Sequence, residues 1–220
     1  CLLSAVSILP RVVNYLAHIL LSGDNLDTQV GGLLGDFVKG PLLGQYPESV
    51  EKGIALHRKL DVCTDTQPEV QHLIRSFSPQ WRRFAGIILD IAFDHVLATR
   101  WRKYHSLSLE HFCQRFYHHL NTCQAWLPAR AQHFNQRAAT IGWLQSYADP
   151  DLLPAILNRV GERLRRPLPL GDAWPEIVER HGEVERAFSI VMPRLDTYAQ
   201  QLRFTALTPA VPTLAKRNDG

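Results

Sequence analysis

The chain of 220 residues contains no long apolar run. Its longest apolar stretches fall well short of about 18 residues and are broken by Asp or Arg, so no membrane span is expected. Cysteine is scarce: Cys1, Cys63, Cys113 and Cys123 form no CxxC pair. A chain this size has no need of a disulfide framework, and reduced thiols in a cytoplasmic protein are expected. The glycine-rich stretch Val30–Lys39 (VGGLLGDFVK) has neither GxGxxG nor Walker spacing, which removes the common phosphate loops. A net charge of +3 is too weak for a nucleic-acid-binding signature. No repeat, no strand or hairpin pattern and no Ser-His-Asp or Cys-His arrangement stands out.

What is present is helical periodicity. The hydrophobic fraction of 45% and the charged fraction of 20% are ordinary for a globular chain with a single core. Residues 1–13 are apolar with Arg11 near the end, a poor signal peptide. They read as an extension, an extra helix or sequence upstream of the functional unit. Helices are expected over 14–22, 49–64, 80–104, 108–127, 129–146 and 152–164. A last long one is expected over 174–202, with Pro193 as a point of interruption. One helical domain over 14–203 and a loose tail over 204–220 complete an all-α, compact helical array.

The conspicuous residues are acids in apolar company. Asp90 and Asp94 sit one turn apart within a run rich in Ile, Leu, Ala and Phe, and Asp36 lies between Leu34-Gly35 and Phe37-Val38. An acid in such a place is costly unless paired, hydrogen-bonded or bound to a cation. His57, Asp61 and Asp65 are spaced i, i+4, i+8 and share one side of a persistent helix. His18, Arg58 and His95 complete the set. Histidine and aspartate together suit a hard or borderline divalent cation. Such a cation polarises a phosphoryl oxygen and lowers the pKa of bound water. Each residue also has a plainer reading, as a packed histidine, a helix cap or a partner for Arg58 and Lys59. His118-His119 point about 100° apart on a helix and suit one metal poorly.

Four segments, in order, carry a resemblance: Asn14-Tyr15-Leu16-Ala17-His18; Gly35-Asp36-Phe37-Val38-Lys39-Gly40; Gly53 to Asp61 (GIALHRKLD) with Thr64-Asp65; and Leu89-Asp90-Ile91-Ala92-Phe93-Asp94-His95. Together they resemble the bacterial acyl carrier protein phosphodiesterases, from about Asn14 to Leu202. The resemblance implies a variant of the HD-type helical metal phosphohydrolases. It implies hydrolysis of the phosphodiester between 4′-phosphopantetheine and a serine of holo-acyl carrier protein, with Mn²⁺ favoured over Mg²⁺, Fe²⁺ or Co²⁺. The usual contiguous His-Asp pair is missing, since Arg58 follows His57 and Asp94-His95 runs in reverse.

Chemistry and resemblance together make Asp36, His57, Asp90 and Asp94 the expected metal ligands. Asp61, Asp65 or His95 would orient water or protonate the leaving oxygen. Arg58 would stabilise phosphoryl charge, and His18 is a further acid candidate. The partner the resemblance implies is a small acidic protein, which basic residues would steer: Arg82, Arg83, Arg100, Arg102 and Lys103, with the Arg163–Arg166 cluster beside them. Neither nucleic acid nor membrane is expected as a partner. Two rival readings remain: an HD-like hydrolase of a nucleotide or other small phosphodiester, and a non-enzymatic helical regulator.

Overall fold

The computed structural model describes residues 15–205. The extension expected over 1–13, and the tail from residue 206 onward, lie outside the described residues. The helices are α1 (Tyr15–Leu21), α2 (Leu26–Leu34), α3 (Glu48–Asp65), α4 (Pro68–Ser76), α5 (Pro79–Arg82), α6 (Ala85–Thr99), α7 (Leu109–Thr122), α8 (Ala129–Ile141), α9 (Leu153–Gly161), α10 (Trp174–Glu179) and α11 (His181–Thr205). Short 3₁₀ turns join several of them. No strand occurs among the described residues, so the all-α expectation holds. No described helix is long and apolar enough to cross a membrane.

Two expected helices are each divided in two. The segment expected over 80–104 breaks at Arg83-Phe84, where Phe84 leaves helical dihedrals (φ −107°, ψ 2°) and α6 begins afresh. The segment expected over 174–202 breaks at Arg180 (φ −102°, ψ 17°). Helix α11 then passes through Pro193 uninterrupted, so the proline is not the point of interruption. Helix α8 stops five residues before the expected 146, because Gly142 takes a left-handed conformation (φ +59°) that terminates the helix.

Helix α6 is the central element. Ile87, Ile88, Leu89, Ile91, Ala92, Phe93, Val96 and Leu97 are all buried, so it is apolar nearly all round, as a helix enclosed by others should be. Helices α1, α4 and α11 pack on it.

Helices α2 and α3 make the most intimate pair, and glycine permits it. A Cβ on Gly31 would stand 2.1 Å from the Val50 carbonyl oxygen, and one on Gly53 would stand 2.2 Å from that of Thr28. The glycine-rich stretch is thus a helix-crossing surface. Gly53→Ala is expected to cost about 1–3 kcal/mol by forcing the two backbones apart. A denaturant midpoint unchanged from wild type would refute that account.

Candidate active site

Helices α1, α2 and α3 bring four of the expected residues together. His18 lies in the last turn of α1, His57 and Asp61 one turn apart in α3, and Asp36 two residues past α2. The end of α2 lies flat on the His57 ring, where a Cβ on Gly35 would overlap the imidazole at 2.2 Å. This close approach lets the Gly32 carbonyl accept a hydrogen bond from His57 Nδ1 at 2.6 Å. A carbonyl only accepts, so Nδ1 carries a proton and Nε2 is directed at the carboxylates.

His57 Nε2 stands 3.5 Å from Asp61 Oδ2 and 3.7 Å from Asp36 Oδ1. Both separations are too long for a normal hydrogen bond, and Nε2 is buried without one. His18 Nε2 donates to Asp61 Oδ1 at 3.0 Å, and the two imidazoles stack with centroids 3.9 Å apart and planes 25° apart. Asp36 Oδ2 and His18 Nδ1 are also buried without partners. His57 is 1% exposed and Asp36 8%, whereas Asp61 is 21% exposed, so the cluster meets solvent at Asp61.

The charges are strongly interdependent. Burial works against a charged His57, but the facing Asp36 and Asp61 outweigh it and lift the pKa to about 10. Burial lowers the pKa of His18, and the neighbouring charge of His57 lowers it further, against the pull of Asp61. Burial would raise the Asp61 pKa. The hydrogen bond from His18 and the approach of His57 reverse this and hold the carboxyl well below its usual range. Without a metal, His57 is therefore held in its charged form beside the ionised Asp61. His18, His57 and Asp61 form a group with the donor types and proximity to hold a metal ion. The unpartnered Asp36 oxygen and His57 nitrogen fit that arrangement, since buried polar atoms are otherwise nearly always satisfied.

The remaining expected residues are placed elsewhere. Asp94 is fully buried, and its Oδ2 and Oδ1 accept the backbone N–H groups of Leu16 and Ala17, each at 2.9 Å. It caps the first turn of α1 from a distant helix. Burial pushes its pKa up, to about 8, against the two N–H groups. Asp90 is half-buried one turn earlier on α6, and Asp65 half-buried in the last turn of α3. Neither joins the metal-capable group. His95 Nδ1 bonds the Tyr147 carbonyl at 2.8 Å, and its ring meets Trp174 edge-on. Arg58 donates to the carbonyls of Val38 and Gly40, each at 2.8 Å, and so braces the loop after Asp36.

The basic residues also separate. Arg82 caps the Phe77 carbonyl, Arg83 lies over the Phe84 ring, and Arg100 is paired with Glu185 on α11. Arg102 and Lys103 are exposed beyond the end of α6. His119 pairs with Asp27 at 2.7 Å and, with Cys123, forms a second metal-capable group between α2 and α7. Nothing in the sequence spacing announces it, because Asp27 is 92 residues away from His119.

The sequence model of the family described as Acyl carrier protein phosphodiesterase matches residues 13–195. A protein named acyl carrier protein phosphodiesterase from Enterobacter sp. (strain 638) is 32% identical over 86% of this chain and 98% of its own length. Namesakes from Klebsiella pneumoniae (31%, over 86% and 98%) and Serratia proteamaculans (33%, over 83% and 95%) are similarly related. No solved structure matches the chain. The span of the family match and the length of these alignments place it: the chain belongs to the acyl carrier protein phosphodiesterase family.

Proposed function

We propose that this chain hydrolyses the phosphodiester between 4′-phosphopantetheine and the serine of holo-acyl carrier protein, at the cluster of His18, His57, Asp61 and Asp36. The observation that carries the reading is the buried, unpartnered His57 Nε2 facing two carboxylates, in a chain whose named relatives are phosphodiesterases. His18, His57 and Asp61 would hold a divalent cation, Mn²⁺ by the family resemblance, with Asp36 beside them. When bound, such a cation polarises phosphoryl oxygens and acidifies water.

The chain's own residues do the rest. Gly32 fixes the His57 tautomer and ring orientation, the usual support for a ligating histidine. Asp36 Oδ2, buried and without a partner, is the acceptor available for the proton of the attacking water. Arg58 holds the loop that places Asp36. The new bond forms between water oxygen and phosphorus, the bond to the seryl oxygen breaks, and that oxygen leaves as a hydroxyl by taking the proton that Asp36 received. Asp94, both of whose oxygens are engaged elsewhere, and His95, whose Nδ1 bonds the Tyr147 carbonyl, act through the position of helices.

Mass spectrometry of holo-acyl carrier protein incubated with the enzyme, with Mn²⁺ or with chelator, tests this. Conversion to the apo form that chelator blocks is expected. An unchanged carrier protein alongside active cleavage of small phosphodiesters would replace the reading with a small-molecule hydrolase.

Proton linkage gives a second check. A His57 pKa raised from 6.5 to about 10 stabilises the metal-free fold fully below pH 6.5 and ceases to do so as pH rises through about 10. Metal binding must displace that proton, so apparent affinity should rise about tenfold per pH unit below pH 10. Calorimetry in buffers of different ionisation enthalpy should count close to one proton released per ion. Release of none would contradict the assignment of His57.

A further inference from the structure

Beside the cluster lies a cavity of about 720 Å³, within the range that holds small organic ligands. Phe37, Phe134 and Trp143 form its apolar wall, and Arg130, Arg159 and Arg163 its rim, with Glu162 the acid among them. We propose that this cavity receives the pantetheine arm of the substrate beyond the phosphoryl group held at the cluster, with the arginines donating to its amide oxygens. The inference rests on the phosphodiesterase reading above.

Position is the first argument. Phe37 follows Asp36 directly in sequence, so the wall of the cavity and the floor of the cluster share one piece of backbone. Tyr15 lies one helical turn before His18 and packs against two of the wall residues, 6.2 Å from Phe37 and 5.3 Å from Phe134 between ring centroids. Its phenol interacts electrostatically with Asp36 and with Arg163 and Arg130. The cavity and the cluster are therefore neighbours, with Tyr15 close to both.

Chemistry is the second. The arm of 4′-phosphopantetheine is an anion followed by methyl groups, methylenes and two amides, so it needs donors and apolar contact together. Guanidinium supplies donors only, in a planar fork that suits phosphoryl oxygens and carbonyls. The Arg159 guanidinium lies over the Trp143 ring, 5.6 Å from its centroid, which holds it at the wall. A purely apolar acyl chain would gain nothing from three guanidinium groups, so the rim favours the amide arm over the acyl group it carries. The Arg163–Arg166 cluster thus contributes at least one residue to the ligand.

Calorimetric titration of the full-length enzyme with 4′-phosphopantetheine tests the assignment, with pantetheine and inorganic phosphate as separate probes. Two rim substitutions on exposed positions avoid the core: Arg163→Gln, and Ile141→Trp at the cavity mouth, where Ile141 is 52% exposed. Each is expected to weaken 4′-phosphopantetheine binding and raise the KM for holo-acyl carrier protein by about tenfold or more. Arg186→Gln, on the exposed face of α11, should change neither, which separates a local grip from general charge steering. Wild-type affinity and KM in both rim variants would overturn the proposal, as would equal binding of inorganic phosphate and 4′-phosphopantetheine. Failure of the wild-type enzyme to convert holo-acyl carrier protein would count against the phosphodiesterase reading instead.

Discussion

His57→Ala is expected to lower kcat/KM for holo-acyl carrier protein by about 10³-fold, equivalent to roughly 4 kcal/mol of transition-state stabilisation. Loss of the ring removes the nitrogen that faces Asp36 and Asp61 and frees the Gly32 carbonyl. Asp36 and Asp61 then lose the positive group that faces them both. Asp61→Asn separates the contributions. The amide keeps the shape and still accepts from His18, but the negative charge facing His57 is gone. Burial then acts on His57 with Asp36 alone opposing it, and the His57 pKa should fall. The expected result is a comparable loss of kcat and a bound-metal content, measured by elemental analysis after dialysis, well below that of wild type. Retention of full activity and metal by both variants would move the active site elsewhere. Circular dichroism should show that Asp61→Asn, at a partly exposed position, retains the helical fold.

The sequence made the helices and half of the cluster legible for a simple reason. His57 and Asp61 belong to one helix, and i, i+4 spacing guarantees that their side chains meet. Asp36 was visible because an acid between Leu34-Gly35 and Phe37-Val38 must find a partner. His18 was visible only as an outlying acid candidate. Its contact with Asp61 depends on how α1 and α3 each pack on α2, and that packing depends on glycines whose function is to be small. Gly32 and Gly35 looked like a failed phosphate loop. They serve instead as the surface on which His57 rests, and no local pattern distinguishes the two. The Arg58 case is similar: a cation near a candidate site suggests a phosphoryl contact, yet the carbonyls of Val38 and Gly40 are nearer.

Asp94 shows the limit of apolar context as a signal, and its replacement should have the largest effect on stability. Burial of the residue was readable, because neighbours such as Leu89, Ile91 and Phe93 had to face a core. Which group it satisfies was not readable, because the donors lie 77 and 78 residues earlier. Asp94→Ala leaves the N–H groups of Leu16 and Ala17 buried without acceptors, at about 1–3 kcal/mol each, and opens a small void. A total near 4 kcal/mol is a large share of an ordinary domain's stability. The Asn variant is the sharper probe. Its carbonyl oxygen can accept one N–H, but its amide donors would face the other, so destabilisation should lie between wild type and Ala. Because α1 carries His18, both variants should also lose activity, and the loss should follow the loss of folded protein on denaturant titration. A metal ligand would behave differently: Asp94→Asn would keep its denaturation midpoint in the metal-free state and lose metal. That outcome would make Asp94 part of the metal centre and oust the capping role derived from its two backbone hydrogen bonds.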